Sequence, residues 1–231
     1  MCDGFKKGLG VFMGFEATST KSADDAWHVL ATLAATDGSA ANQRVAKLAA
    51  PAAAKRDLAD AVHAICSIHG RYLFEDIARH GDEQTSGWFD RITAAFTVER
   101  AYLAHLTAAA GPLPSTPGQA EADAAFANQR HAFDMLARSD RKGCAIGSAI
   151  ALVLDWQAIR SVLDAAAVRF GVVAPASELP DAADLAAFVA TASDSPATQR
   201  AIAFGAQQVF AQHRGLWCLL ESRASARNHH G

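Results

Sequence analysis

The chain has 231 residues, 51% of them apolar and 19% charged, with a formal charge of -3. That is enough apolar mass for one sizeable core, and the length fits one large domain better than two small ones. Lysine and arginine are scattered rather than clustered, so the positive surface that phosphate backbones need is missing and nucleic acid is excluded as a partner.

Cys2, Cys66, Cys144 and Cys218 stand far apart with no C-x-x-C pair. This argues against a zinc motif or a disulfide scaffold and for a reducing cytoplasm. Residues 1–21 form an N-terminal segment expected to be mobile. Lys6 and Lys7 precede the apolar stretch Gly8 to Phe15, but it is short, broken by glycine and followed by Glu16 without a small-x-small cleavage site, which is not the pattern of an export signal.

From Ser22 to residue 222 the pattern is that of one all-α, up-and-down helical bundle. The spacing of apolar positions predicts a helix from Ser22 to Thr36, a short one near Ala40 to Ala50, and five long ones near 52–80, 86–110, 117–139, 141–170 and 196–222. A minor helix near 181–193 fills the remaining gap. Five of the seven prolines fall between these segments and the other two, Pro117 and Pro196, open one each, places where the ring is tolerated. Thr116-Pro117-Gly118-Gln119 and Ser195-Pro196 read as helix starts, and Gly171 as a left-handed stop. Residues 223–231, with His229 and His230, read as a polar tail.

Within the 141–170 helix the longest uncharged apolar run, Cys144 to Leu154, ends at Asp155, short of the roughly 18 residues that span a bilayer. No membrane span is expected. The helix is greasy on several faces and belongs at the bundle's centre; Asp155, Gln157, Arg160 and Asp164 read as its polar side, with Arg160 and Asp164 spaced as an ion pair and a solvated or interhelical salt bridge expected rather than an anion site.

Three other stripes are interrupted by ionisable groups: His69 between Cys66 and Leu73, Glu99 between Phe96 and Leu103, and His213 between Val209 and Leu216. Buried groups of this kind must be paired, hydrogen-bonded or bound to something. If 52–80 and 86–110 form a hairpin turning near Asp82 to Gln84, His69 lies about 14 residues before the turn and Glu99 about 16 after it, a height difference of roughly 3 Å. The same arithmetic brings Gln129 to the level of Glu99.

Convergence of His69, Glu99 and His213, with Gln129 and Asp76 in support, would suit a transition metal, a small ligand or proton transfer. The plainer outcome is a satisfied hydrogen-bond network that fixes helix register. No Glu-x-x-His pair occurs, which removes the di-iron carboxylate bundle. Asp76 and His80 read as an end-capping pair, and Cys66 beside His63 and His69 as a core thiol. Gly70 implies either a close approach or a break in the helix, because mid-helix glycine costs about 1 kcal/mol.

Walker, G-x-S-x-G and H-E-x-x-H motifs are all missing from the sequence. The reading favoured is a non-catalytic binding or interaction protein, with a homo-oligomer formed through alanine-rich faces left open. The alternative is a metal- or small-ligand-binding bundle, an enzyme among the options, built on the mid-bundle cluster. The sequence leaves any cofactor unknown, with His69, Glu99 and His213 the candidates should it be a metal.

Overall fold

Apolar stripes of helical period, separated by proline and glycine, fold as expected into helices alone. The computed structural model describes residues 26–70, 74–79, 85–113 and 118–230. Helix α1 covers 26–37 and leads through a 3-10 turn, Ser39–Ala41, into α2, Gln43–Ala49. There follow α3 (Lys55–His69), α4 (Phe74–Ala78), α5 (Ser86–Ala110), α6 (Gln119–Ala137), α7 (Lys142–Phe170), α8 (Ala182–Ala192) and α9 (Pro196–His230). Among the described residues there is no strand. The readings that fell on residues 1–25, the Asp82–Gln84 turn, His80 and Thr116–Pro117 lie outside the described residues.

Side-chain caps explain several starts. Asn42 accepts from the Arg44 backbone N–H at 2.9 Å, Asp181 from Ala183 and Asp184, and Ser195 Oγ from Thr198 at 3.1 Å, each satisfying an orphan donor of a first turn. Gly171, at φ 72° and ψ 31°, closes α7 in the left-handed region as its sequence implied.

Two elements differ from the pattern reading. The expected 52–80 helix is broken: α3 stops at His69, Gly70 caps it by donating to Cys66 O at 2.9 Å, and a short α4 follows. The last helix, conversely, runs beyond residue 222. Arg223 donates to Gln119 Oε1 at 2.9 Å, and Arg227 pairs with Asp57 and Asp60, so these positions pack onto α6 and α3 instead of trailing as a polar tail.

Helices α3, α5, α6 and α7 alternate in direction, and α9 then runs parallel to α7. Gly143 faces Thr198 and Ala201, Gly147 faces Ile202, and Asp155 meets His213; numbers rising together on both helices define a parallel pair. The 171–195 stretch, with α8 in it, carries the chain back to the starting end. By length and composition Gly143–Phe170 could cross a membrane, yet 78% of its most apolar window is buried inside the protein. Its apolar surface is spent on neighbouring helices, which makes it the core helix of the bundle.

Glycine sets the distance between α7 and α9. A Cβ on Gly147 would stand 2.0 Å from Ile202 O, and one on Gly205 2.1 Å from Cys144 O. Each helix therefore lies against the other's backbone, and neither glycine tolerates a side chain without separation of the pair. We expect Gly147→Ala to destabilise the protein by roughly 2–3 kcal/mol, read as a lower urea midpoint, whereas Gly87→Ala, where no atom lies within 4 Å, should leave it unchanged or raise it.

Candidate functional site

The parallel register of α7 and α9 places Asp155 opposite His213, and α3 delivers His69 to the same level from the other side. His213 Nδ1 lies 2.5 Å from Asp155 Oδ2, and His213 Nε2 lies 3.1 Å from His69 Nε2. The 3-10 turn closes the far end: Ser39 donates to Asp155 through its backbone N–H and its hydroxyl, both at 2.6 Å, and Trp217 Nε1 donates to Ser39 Oγ at 2.8 Å. His69, Asp155, His213, Ser39 and both tryptophans concerned, Trp156 and Trp217, are buried.

Proton positions follow from this connectivity. A carboxylate accepts only, so His213 carries its proton on Nδ1 and, when neutral, offers Nε2 as an acceptor. His69 then donates from Nε2, which leaves its Nδ1 a bare lone pair; that atom is buried and has no hydrogen-bond partner. The His69 ring is held edge-on by Phe133 at 4.9 Å and Trp156 at 5.5 Å between centroids.

Glu99 does not join the imidazoles. Its Oε2 accepts from Trp156 Nε1 at 3.0 Å and its Oε1 from Arg160 Nη1 at 2.5 Å. The indole of Trp156 stands between Glu99 and His69, so the two side chains share a level and are separated by a ring. Arg160 also donates to Asp164 Oδ1 at 2.8 Å and to Pro175 O, and it stacks 4.5 Å from the Tyr102 ring. The expected Arg160–Asp164 pair exists, and it is one corner of a larger network.

The remaining candidates lie elsewhere. Gln129 Nε2 donates to Gln212 O at 3.0 Å, beside His213 in sequence but on the α6–α9 seam. Asp76 is bound by Arg79 and by Arg138 Nε at 3.1 Å, the second from α6. His63 bonds Gly111 O at 2.8 Å, and Cys66 is a half-buried free thiol. Among the described residues, no group of three or more His, Cys, Asp or Glu side chains stands where it could hold a metal ion.

Residues 34–228 match DUF6975, a family of unknown function. The chain belongs to that family. No curated protein and no solved structure matches it. The span shared with DUF6975 opens just before Ser39 and closes just after Arg227, so both polar networks of the core fall within it.

Sequence reasoning missed Ser39, Asp155, Trp156, Arg160 and Trp217. Asp155 and Arg160 read as part of a polar side of α7, yet they are only 3% and 8% exposed, while Gln157 is exposed and the Asp164 side chain is about half exposed. The signal was present: a helix that is apolar on several faces has only a narrow solvated side, and charges that fall outside it must find partners inside.

Burial, reinforced by the neighbouring His213, holds the His69 imidazole well below its ordinary value of 6.5. Burial alone would raise the Asp155 carboxyl; the His213 and Ser39 hydrogen bonds outweigh it and hold the group below 3.8. Burial followed by the Asp164 contact raises the Tyr102 phenol. For Arg160, the Asp164 and Glu99 partners overcome burial and strengthen the cation.

His69 binds a proton more weakly in the fold than in the unfolded chain, so its contribution to stability is complete above the unfolded value and is lost as pH falls below it. Asp155 acts in the same direction at lower pH. We expect the urea midpoint to fall as pH is lowered from about 7 towards 5, with a shallower fall in His69→Gln, which keeps a donor for His213. Glu99→Gln leaves the guanidinium of Arg160 without its buried counter-charge and should cost roughly 3 kcal/mol, measured by the same titration at pH 7.

Proposed function

We propose that this member of DUF6975 is a non-catalytic binding protein that takes an apolar ligand or partner segment in an open groove. The observation that carries this reading is a division of labour in the bundle. The His69–His213–Asp155 chain is sealed, whereas a groove of about 650 Å³ opens between the α2–α3 turn and the C-terminal half of α7. A reacting group needs access to its substrate, and the imidazoles have none.

The groove has the character of a binding surface. Ala49, Ala50, Pro51 and Leu58 form one wall, Ala165 and Val168 the other, and Asp164 and Arg169 supply polar edges. Val168 is 87% exposed, a position at which an apolar side chain gains most from being covered. Arg169 donates to Ala53 O at 2.8 Å, which fixes the α2–α3 turn as a preformed rim and lowers the ordering cost of binding. The free thiols of Cys66, Cys144 and Cys218 suit a reducing cytoplasm.

Titration with an anilinonaphthalene sulfonate dye tests the reading. We expect a saturable fluorescence rise that drops at least severalfold in Val168→Glu and is retained in His69→Gln, both variants keeping wild-type far-UV circular dichroism. A dye response insensitive to Val168→Glu, or lost with His69→Gln in a folded protein, would move the binding surface away from the groove.

A further inference from the structure

A second, smaller cavity lies on the opposite side of α3. It has a volume of about 170 Å³, room for about six waters at bulk density, and it is walled by α3, α6, α9 and the end of the segment after α5. Unlike the groove it is lined largely by polar groups, and two of its buried polar atoms have no hydrogen-bond partner: Arg223 Nη1 and Asp60 Oδ1.

The inventory of its wall is lopsided. Asp60, with a side chain only 2% exposed, accepts from Arg227 at Oδ2, while Oδ1 is ion-paired by Arg56 at 3.4 Å and by Arg223 at 3.9 Å and takes a hydrogen bond from neither. His63 donates from Nε2 to Gly111 O at 2.8 Å, so Nδ1 of the neutral ring is an acceptor. Ser67 spends its hydroxyl proton on His63 O and keeps its lone pairs. Exposed Asp123 accepts once, from Gln119 Nε2, and retains acceptor capacity. Besides Arg56 and Arg227, which pair with Asp60 from behind the lining, the lining itself holds one charged donor among the described residues: Arg223, whose Nη2 is used by Gln119 Oε1 at 2.9 Å and whose Nη1 is unused.

A guest that completes this wall carries several N–H donors on a cation and one anionic oxygen close by. Leu113 and Phe126 complete the lining with apolar surface and admit a small hydrocarbon side chain. We propose that the cavity binds a small zwitterionic α-amino acid, its ammonium group among Asp60, His63 and Asp123 and its carboxylate on Arg223. Charge-assisted hydrogen bonds at both ends distinguish such a ligand from either of its halves.

Calorimetric titration of the full chain with glycine, alanine, serine and valine, alongside methylammonium and acetate, tests the assignment. The expected result is saturable binding of at least one amino acid and none of the two half-ligands at equal concentration. Asp123→Asn, at an exposed position, should weaken that binding at least fivefold without changing the urea midpoint, and Arg223→Gln should abolish it. Binding of none of the four amino acids, equal binding of a half-ligand, or unchanged affinity in Asp123→Asn would overturn the proposal, even if Arg223→Gln fails to fold. Val168→Glu should leave amino-acid binding intact, and Asp123→Asn should leave the dye response intact, so failure of one site is distinguishable from failure of the other.

Discussion

The contact on which the rest depends is the backbone-to-backbone approach of α7 and α9 at Gly147 and Gly205. Glycine weakens both helices through backbone entropy, and what it allows in exchange is an axis separation too small for any side chain at the crossing. Further along the same parallel pair, that separation brings Asp155 and His213 to 2.5 Å. Sliding α9 by one residue would turn His213 through about 100°, away from the carboxylate and away from His69. The short crossing and the short hydrogen bond are thus one constraint observed at two heights.

A buried ion pair or imidazole chain is weak grounds for net stability, because desolvation consumes much of the attraction. Its effect here is better understood as selection. Long stretches of these helices present alanine, and alanine faces fit one another at several registers with similar burial. Asp155 fits only where Ser39 supplies two donors and His213 a third; Glu99 fits only where Trp156 and Arg160 converge. Misregistered packings would leave those charges unpaired in a dry core, at a cost far above that of a few misplaced methyl groups. The two networks lie on either side of the Trp156 ring, one binding α7 to α9, α3 and the 3-10 turn, the other binding α7 to α5.

What could be read from the sequence follows from the same physics. His69, Glu99 and His213 declared themselves because each breaks an otherwise clean stripe, while the count that set His69 and Glu99 level presumed an unbroken 52–80 helix, which α3 does not supply; residue counting measures height along one continuous helix at about 1.5 Å per residue. It gives no azimuth, which is why Gln129 and Asp76 were drawn into a site they border at a distance and why the indole between His69 and Glu99 was not foreseen. Asp155 and Arg160 were placed with Gln157 and Asp164 for a related reason: the solvated side of α7 is narrow, running through Gln157, Ser161 and Val168, and a sequence that is apolar on several faces does not show which of its charges fall outside it. Ser39 lies in a turn, where no period exists to betray it. The direction of α9 depended on a 171–195 connection without a strong pattern, and the extension of α9 past residue 222 depended on partners, Asp57, Asp60 and Gln119, that only tertiary packing reveals.

The arrangement of α3 connects the sealed core to the open surface. Its last residue, His69, is tied into the central chain, while nearer its start Leu58 lines the apolar groove on one side and Asp60 and His63 line the polar cavity on the other. Between them, Asp57 and Asp60 take guanidinium partners from α2 and α9, with Arg44, Arg223 and Arg227 all involved. Those ion pairs lie inside the packing, with side-chain exposures of 2% at Asp60, 8% at Arg44 and 11% at Arg223, so they hold the first half of α3 in place, because loss of one partner of a buried pair is costly. The groove and the polar cavity therefore share α3 as a common wall, one against its apolar side and the other against its polar side.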